Sequence, residues 1–113
     1  MKIKIESPEQ GIEKVYLEGE LDFQNSQQIR LEFTRLIDKK PIRVLVNLEH
    51  VSYIDSSGLA VFIELFQKMK RLGGRLAFFN LQERVRNVFE IAKLESIFHL
   101  AGSEQEALTL LTQ

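Results

Sequence analysis

Apolar and charged residues alternate at the start of the chain, Met1, Ile3 and Ile5 against Lys2, Lys4 and Glu6. A period of two over Met1–Glu6 predicts a half-buried strand. Ser7-Pro8-Glu9-Gln10-Gly11 follows as a turn, because proline presets φ and glycine permits a positive one. Val15 and Leu17 carry a second strand, so the chain opens on a hairpin, which Gly19-Glu20-Leu21-Asp22 ends. The period then changes. From Asn25 or Ser26 to about Lys39, Ile29, Phe33, Leu36 and Ile37 stand at i, i+4, i+7 and i+8, the stripe of an amphipathic helix. Lys39 and Lys40 suit its C-terminal dipole and Pro41 stops it.

Ile42–Leu48 is a β-branched run with almost no polar break, as expected of a parallel strand covered on both faces. From about Ser57 to Leu72 the pattern is helical, with Glu64, Gln67, Lys68 and Arg71 forming one narrow polar stripe. Gly73-Gly74 reads as its C-cap. Arg75–Phe79 predicts a short strand, and Glu83–Lys93 a helix with Val85, Val88, Phe89 and Ala92 on its apolar side. Ile97–Leu100 predicts a last edge strand. Ser103 and Glu106 match a capping box before a final helix carrying Ala107, Leu108, Leu110 and Leu111. The order β-β-α-β-α-β-α-β-α predicts an α/β fold, a mixed central sheet of four to five strands with about four helices. The strand at 42–48 should lie in its middle. Val44, Val46, Leu59, Phe62, Phe66 and Phe78 are the expected core.

Composition narrows the function. At 113 residues with no linker, the chain is expected to be one domain, 1–113. With 44% hydrophobic residues it needs no disulfide or metal to hold a core, and it has no cysteine. The net charge of -1, with both signs mixed, argues against a nucleic-acid or polybasic membrane partner. No apolar run approaches a membrane span and no signal peptide opens the chain, so a cytoplasmic protein is expected.

The candidate chemistry sits at Val51-Ser52-Tyr53-Ile54-Asp55-Ser56-Ser57-Gly58-Leu59, between an apolar strand and an apolar helix. Asp55 or Ser56 can accept from the unpaired N–H groups of the helix's first turn. A helix N-terminus also favours negative charge and can hold a phosphate. Taken alone, the block reads first as an ordinary helix cap, and Asp22 as an ordinary turn acid. A nucleophilic serine is disfavoured, since G-x-S-x-G is absent and His50 and His99 are the only histidines. Those two histidines have no spacing for a metal. Gly73-Gly74 has no following Lys-Ser/Thr to make a phosphate loop. No catalytic residue, metal or cofactor is expected.

Val46-Asn47-Leu48 followed by Val51–Leu59 resembles the signature of the STAS domain, in particular the stand-alone bacterial anti-sigma-factor antagonists. Gly19-Glu20-Leu21-Asp22 resembles that group's second landmark, and Gly73-Gly74 before a short strand fits as well. The resemblance covers essentially the whole chain. Departures are Asn47, where many members carry an acid, and Ala60, where glycine is common.

The resemblance implies a regulator that switches partners. Its unmodified form would bind an anti-sigma factor that is a GHKL-type serine kinase, releasing a sigma factor. Phosphorylation would switch it off and a serine phosphatase would restore it. By position the phosphoacceptor is Ser56, with Ser57, commonly alanine in members, as second candidate. The kinase-facing surface would include Asp22, Asp55, Gly58 and Leu59, with Glu20 and Phe23 alongside. The domain would be a substrate and not an enzyme. Two other classes are a STAS subunit regulating a transporter, such as a lipid-type ABC complex, without phosphorylation, and a nucleotide- or small-ligand-binding module. The Asp22 and Ser56 loops should share one end of the sheet.

Overall fold

The computed structural model describes residues 1–112. Five strands form one sheet in sequence order: β1 (Lys2–Glu9), β2 (Ile12–Leu21), β3 (Arg43–Ile54), β4 (Arg75–Phe79) and β5 (His99–Ala101). β1 runs antiparallel to β2, and β2 to β5 are mutually parallel. Four helices connect and follow them: α1 (Ser26–Asp38), α2 (Ser56–Arg71), α3 (Glu83–Ile91) and α4 (Glu104–Thr112). The expected element order holds, and β3 is the central strand.

Both faces of β3 are covered, which explains its unbroken apolar run. Val44 and Val46 face α1, α2 and α3, in a core with Ile29, Phe33, Phe62 and Phe89. Phe62 stands at the centre, its ring 4.9 Å from that of Phe78 and 6.1 Å from that of Phe33. Leu45, Ala77 and Phe79 face the other way, onto Ala107 and Leu111 of α4. Of the expected core, Val44, Val46, Leu59, Phe62 and Phe78 are buried. Phe66 is only half-buried, at the margin, its ring 5.3 Å from that of Phe98.

Several boundaries differ from expectation for local reasons. β1 continues through Pro8 to Glu9, with its register broken between Glu6 and Glu9. A proline is tolerated there because this is an edge strand at an irregularity. The turn is therefore only Gln10-Gly11, with Gly11 at φ +85. β3 runs six residues past Leu48, to Ile54. Its pairing with β2 slips twice, between Tyr16 and Glu18 and between Gly19 and Glu20, leaving an extra β3 residue each time. Each bulge resets the alternation, so Leu48, Val51 and Ile54 point inward at intervals of three. The Asn47 side chain supports the first bulge, its Oδ1 accepting from the Glu49 N–H at 2.9 Å.

α3 stops at Ile91, with Ala92 as C-cap and Lys93 left-handed at φ +59. The last strand is His99–Ala101, not Ile97–Leu100, since Ala77, Phe78 and Phe79 pair with those three residues. At α4, Ser103 Oγ accepts from the Glu106 N–H at 3.1 Å, as a capping box requires. The Glu106 carboxylate reaches one residue further back, to the Gly102 N–H at 3.1 Å. Two arginines from the sheet stabilise the other end of α4: Arg43 donates to the Leu111 carbonyl and Arg75 to the Leu110 carbonyl, each at 3.1 Å.

Candidate functional site: the Ser56 end of the sheet

Because β2 and β3 are parallel, their C-terminal ends lie together, with Leu21 opposite Ile54. The Asp55 N–H donates to the Leu21 carbonyl at 3.1 Å, extending the pairing into the two loops. The Asp22 loop and the Ser56 loop therefore share one end of the molecule, as expected.

The cap of α2 is Asp55. Its backbone is extended, and its Oδ1 accepts from the N–H groups of Ser57 (2.8 Å) and Gly58 (3.2 Å). That resolves the choice between Asp55 and Ser56. Ser56 is the first helical residue and is exposed, whereas Ser57 is half-buried. Gly58 is buried, and its missing side chain lets α2 start against the sheet. A Cβ there would stand 2.8 Å from Ile54 Cγ1, 2.9 Å from Leu21 Cβ and 3.0 Å from the Leu21 carbonyl oxygen. These positions span both loops, so the glycine sets how closely the two loops approach.

Asp22 has a structural task. Its Oδ1 accepts from the N–H groups of Gln24 (3.0 Å) and Asn25 (3.2 Å). Asn25 answers, its Oδ1 accepting from the Asp22 N–H at 2.9 Å and its amide donating to the Glu20 carbonyl. This reciprocal lock rigidifies the entry to α1. The partnership of Asn25 was not anticipated, although an Asp and an Asn three residues apart at a turn are its signal. The lock leaves Phe23 outside: its side chain is 79% exposed, and Glu20 is exposed beside it.

The structure thus brings Glu20, Asp22, Phe23, Asp55, Ser56 and Ser57 to one surface. Gly58 and Leu59 belong to the same end but are buried, so they shape this surface from beneath and present no side chain on it. Among the described residues, Glu20, Asp22 and Asp55 take part in none of the ion pairs. The end is an exposed hydroxyl and an exposed aromatic within a rim of unneutralised carboxylates. No helix of the described residues is long and apolar enough to cross a membrane.

Comparison with known proteins gives the family. The chain is 30% identical over 108 residues to the anti-sigma-B factor antagonist of Listeria monocytogenes, covering 94% of this chain and 95% of that protein. Its fold is similar to that of the anti-sigma factor antagonist SpoIIAA in its unphosphorylated form, with a TM-score of 0.83, 25% identity, and coverage of 98% of this chain and 96% of that one. Bacillus SpoIIAA in the phosphorylated form shares the fold, with a TM-score of 0.75 and 24% identity over 96% of this chain and 98% of that one. The STAS domain model matches residues 7–107, and the chain belongs to the STAS domain family.

Proposed function

We propose that this chain is a cytoplasmic anti-sigma-factor antagonist that works by partner switching, with Ser56 as its switch. Unmodified, it binds an anti-sigma factor that is also a GHKL-type serine kinase, and a sigma factor is released. The kinase phosphorylates Ser56, the complex dissociates, and a serine phosphatase returns the protein to its binding form. The chain is the substrate of both enzymes, catalyses neither step and needs no cofactor. The antagonist name carried by a relative 30% identical along nearly its whole length favours this reading over a transporter subunit.

The observation that carries the reading is the exposed Ser56 hydroxyl on the first residue of α2, beside the carboxylates of Glu20, Asp22 and Asp55. A phosphate adds about 1.5 to 2 negative charges. A helix N-terminus ordinarily welcomes such charge, but here Asp55 already occupies the N–H groups of Ser57 and Gly58. The phosphate would stand in solvent next to other anions, and the fold would have no reason to change. A partner covering Ser56 would have to desolvate a dianion, which costs several kcal/mol or about two decades of affinity or more. Ser57 is the weaker acceptor, since it is half-buried with its N–H held by Asp55.

The test is phosphate transfer from the same organism's anti-sigma kinase. The parent and Ser57→Ala should each take up about one phosphate per chain and Ser56→Ala none, with Ser56→Asp binding the kinase weakly while folded. Full labelling of Ser56→Ala would show that another residue is the acceptor.

A further inference from the structure

The charge of this chain is not spread evenly. Charged residues make up 27% of the sequence, yet Phe23–Leu31 contains one, Arg30, and Ser56–Ile63 contains none. These stretches are the turn into α1 with that helix's first half, and the first half of α2, which adjoin at the Ser56 end. The single charge is cancelled, because Arg30 Nε meets Glu64 Oε2 at 2.7 Å across the two helices. The outward residues of this surface are Gln24 in the turn before α1, Gln27 and Leu31 on α1, and Ser56, Ala60 and Gln67 on α2, all exposed.

Leu31 is the unexplained member. Helix geometry sets it about 200° from Ile29 and Phe33, on the side of α1 facing away from the core, and it is 54% exposed. It is one turn beyond Gln27, about 6 Å along the helix, and Gln27 in turn follows Phe23 by four residues. Folding gains from a leucine there only partial burial and good helix propensity, and a charged residue such as arginine would nearly match the propensity. Charge depletion beside an exposed aromatic, inside a charged rim, is the composition of the core of a protein–protein interface.

We propose that the surface read by the anti-sigma partner extends from Ser56 and Phe23 along the outward faces of α1 and α2, with Leu31 as its far anchor. This rests on the partner-switching reading and adds its footprint and partner chemistry. The occupant is the anti-sigma factor because the patch is continuous with Ser56. The partner's matching surface is apolar opposite Phe23 and Leu31, low in charge between them, and basic where it meets Glu20, Asp22 and Asp55. Phosphorylation at one edge would then eject a partner whose contacts extend well beyond the phosphate.

The experiment measures binding of the purified anti-sigma kinase to full-length parent, Leu31→Arg, Leu31→Gln, Ser56→Asp and Lys70→Glu, with thermal melts alongside. Leu31→Arg should weaken binding by roughly tenfold or more, and Leu31→Gln by less. Lys70→Glu, at the far end of α2, should change it less than about twofold. Melting temperatures of the Leu31 variants should match the parent. Parental affinity for Leu31→Arg, with Ser56→Asp weakened, overturns the extended footprint and leaves the switch standing. Parental affinity for Ser56→Asp removes the switch reading and the extension with it. A parental dimer dissolved by Leu31→Arg, with kinase binding intact, assigns the patch to a second copy of this chain and overturns the proposal.

Discussion

The two ends of α2 meet the same physical demands and carry different surfaces. At its C-terminus the chain closes with a Schellman motif: the Gly73 N–H donates to the Lys70 carbonyl (3.1 Å) and the Gly74 N–H to the Met69 carbonyl (2.9 Å). Gly73 takes φ +73, and Lys68, Lys70 and Arg71 face the negative end of the helix dipole. At the N-terminus Asp55 caps the first turn. Each end also holds a glycine with no room for a Cβ, Gly58 against Leu21 and Ile54, and Gly74 against Met69 Cε (2.6 Å) and the Ile42 carbonyl oxygen (2.9 Å). Helix termination accounts for the two glycines and the basic last turn at the C-terminal end. It does not account for the exposed Phe23, the charge-free first turns or the uncommitted Ser56 hydroxyl at the other. An exposed aromatic, an uncommitted hydroxyl and uncharged first turns stand together only at the N-terminal end, and that is why function is assigned there.

The two ends should differ most when their glycines are filled. Gly58→Ala and Gly74→Ala should each cost about 1–3 kcal/mol as overpacking. At both sites a backbone oxygen, which cannot move aside like a side-chain tip, stands within 3.0 Å of the new methyl. Urea unfolding measures that cost. Kinase binding, corrected for the folded fraction, should fall for Gly58→Ala alone, since only that methyl pushes the Asp22 and Ser56 loops apart. Equal losses of binding in both variants would mean that the ends differ in appearance and not in role.

Next in size are the two terminations. Asp55→Ala removes the cap and should cost about 1 kcal/mol. Gly73→Ala should cost about as much, because an alanine must adopt a left-handed backbone. Asp55→Asn separates the carboxylate's two roles. Asparagine caps as well as aspartate, so melting should hold while binding to a basic partner surface weakens. If Asp55→Asn bound like the parent, the carboxylate would be a cap and nothing more.

These variants also mark what could be read in advance. The sheet, the helices and the Ser56 junction follow from periodicity and punctuation, because each element's own residues decide them. The second half of β3 was hidden because its inward positions, Leu48, Val51 and Ile54, come at intervals of three. A bulge is fixed by the neighbouring strand and leaves no alternation to recognise. Asp55 and Ser56 were equivalent as caps until the backbone placed one outside the helix and the other inside. The tight fit at Gly58 depends on Leu21, which is 37 positions away by residue number. The outward position of Leu31 is different: it is implied by the same stripe that turns Ile29 and Phe33 inward, and it gains meaning only beside Phe23 and Ser56.

The smallest expected effect is the most telling. Ser56→Ala should change the unfolding free energy by no more than about 0.5 kcal/mol. The serine is exposed, and Asp55 performs the capping. Alanine is also the better helix former by a few tenths of a kcal/mol, so a slight gain is as expected as a slight loss. Lys70→Ala, exposed near the other end of the same helix, should be comparably neutral. Their equality in melting would set a clean baseline, since the two variants then differ only in what they do to partners. Ser56→Ala should abolish phosphorylation and hold the protein in its binding form, while Lys70→Ala should be phosphorylated and released like the parent. A loss of more than about 1 kcal/mol in Ser56→Ala, the size of a missing cap, would make the hydroxyl a structural element. The hydroxyl would then serve the fold and not the chemistry.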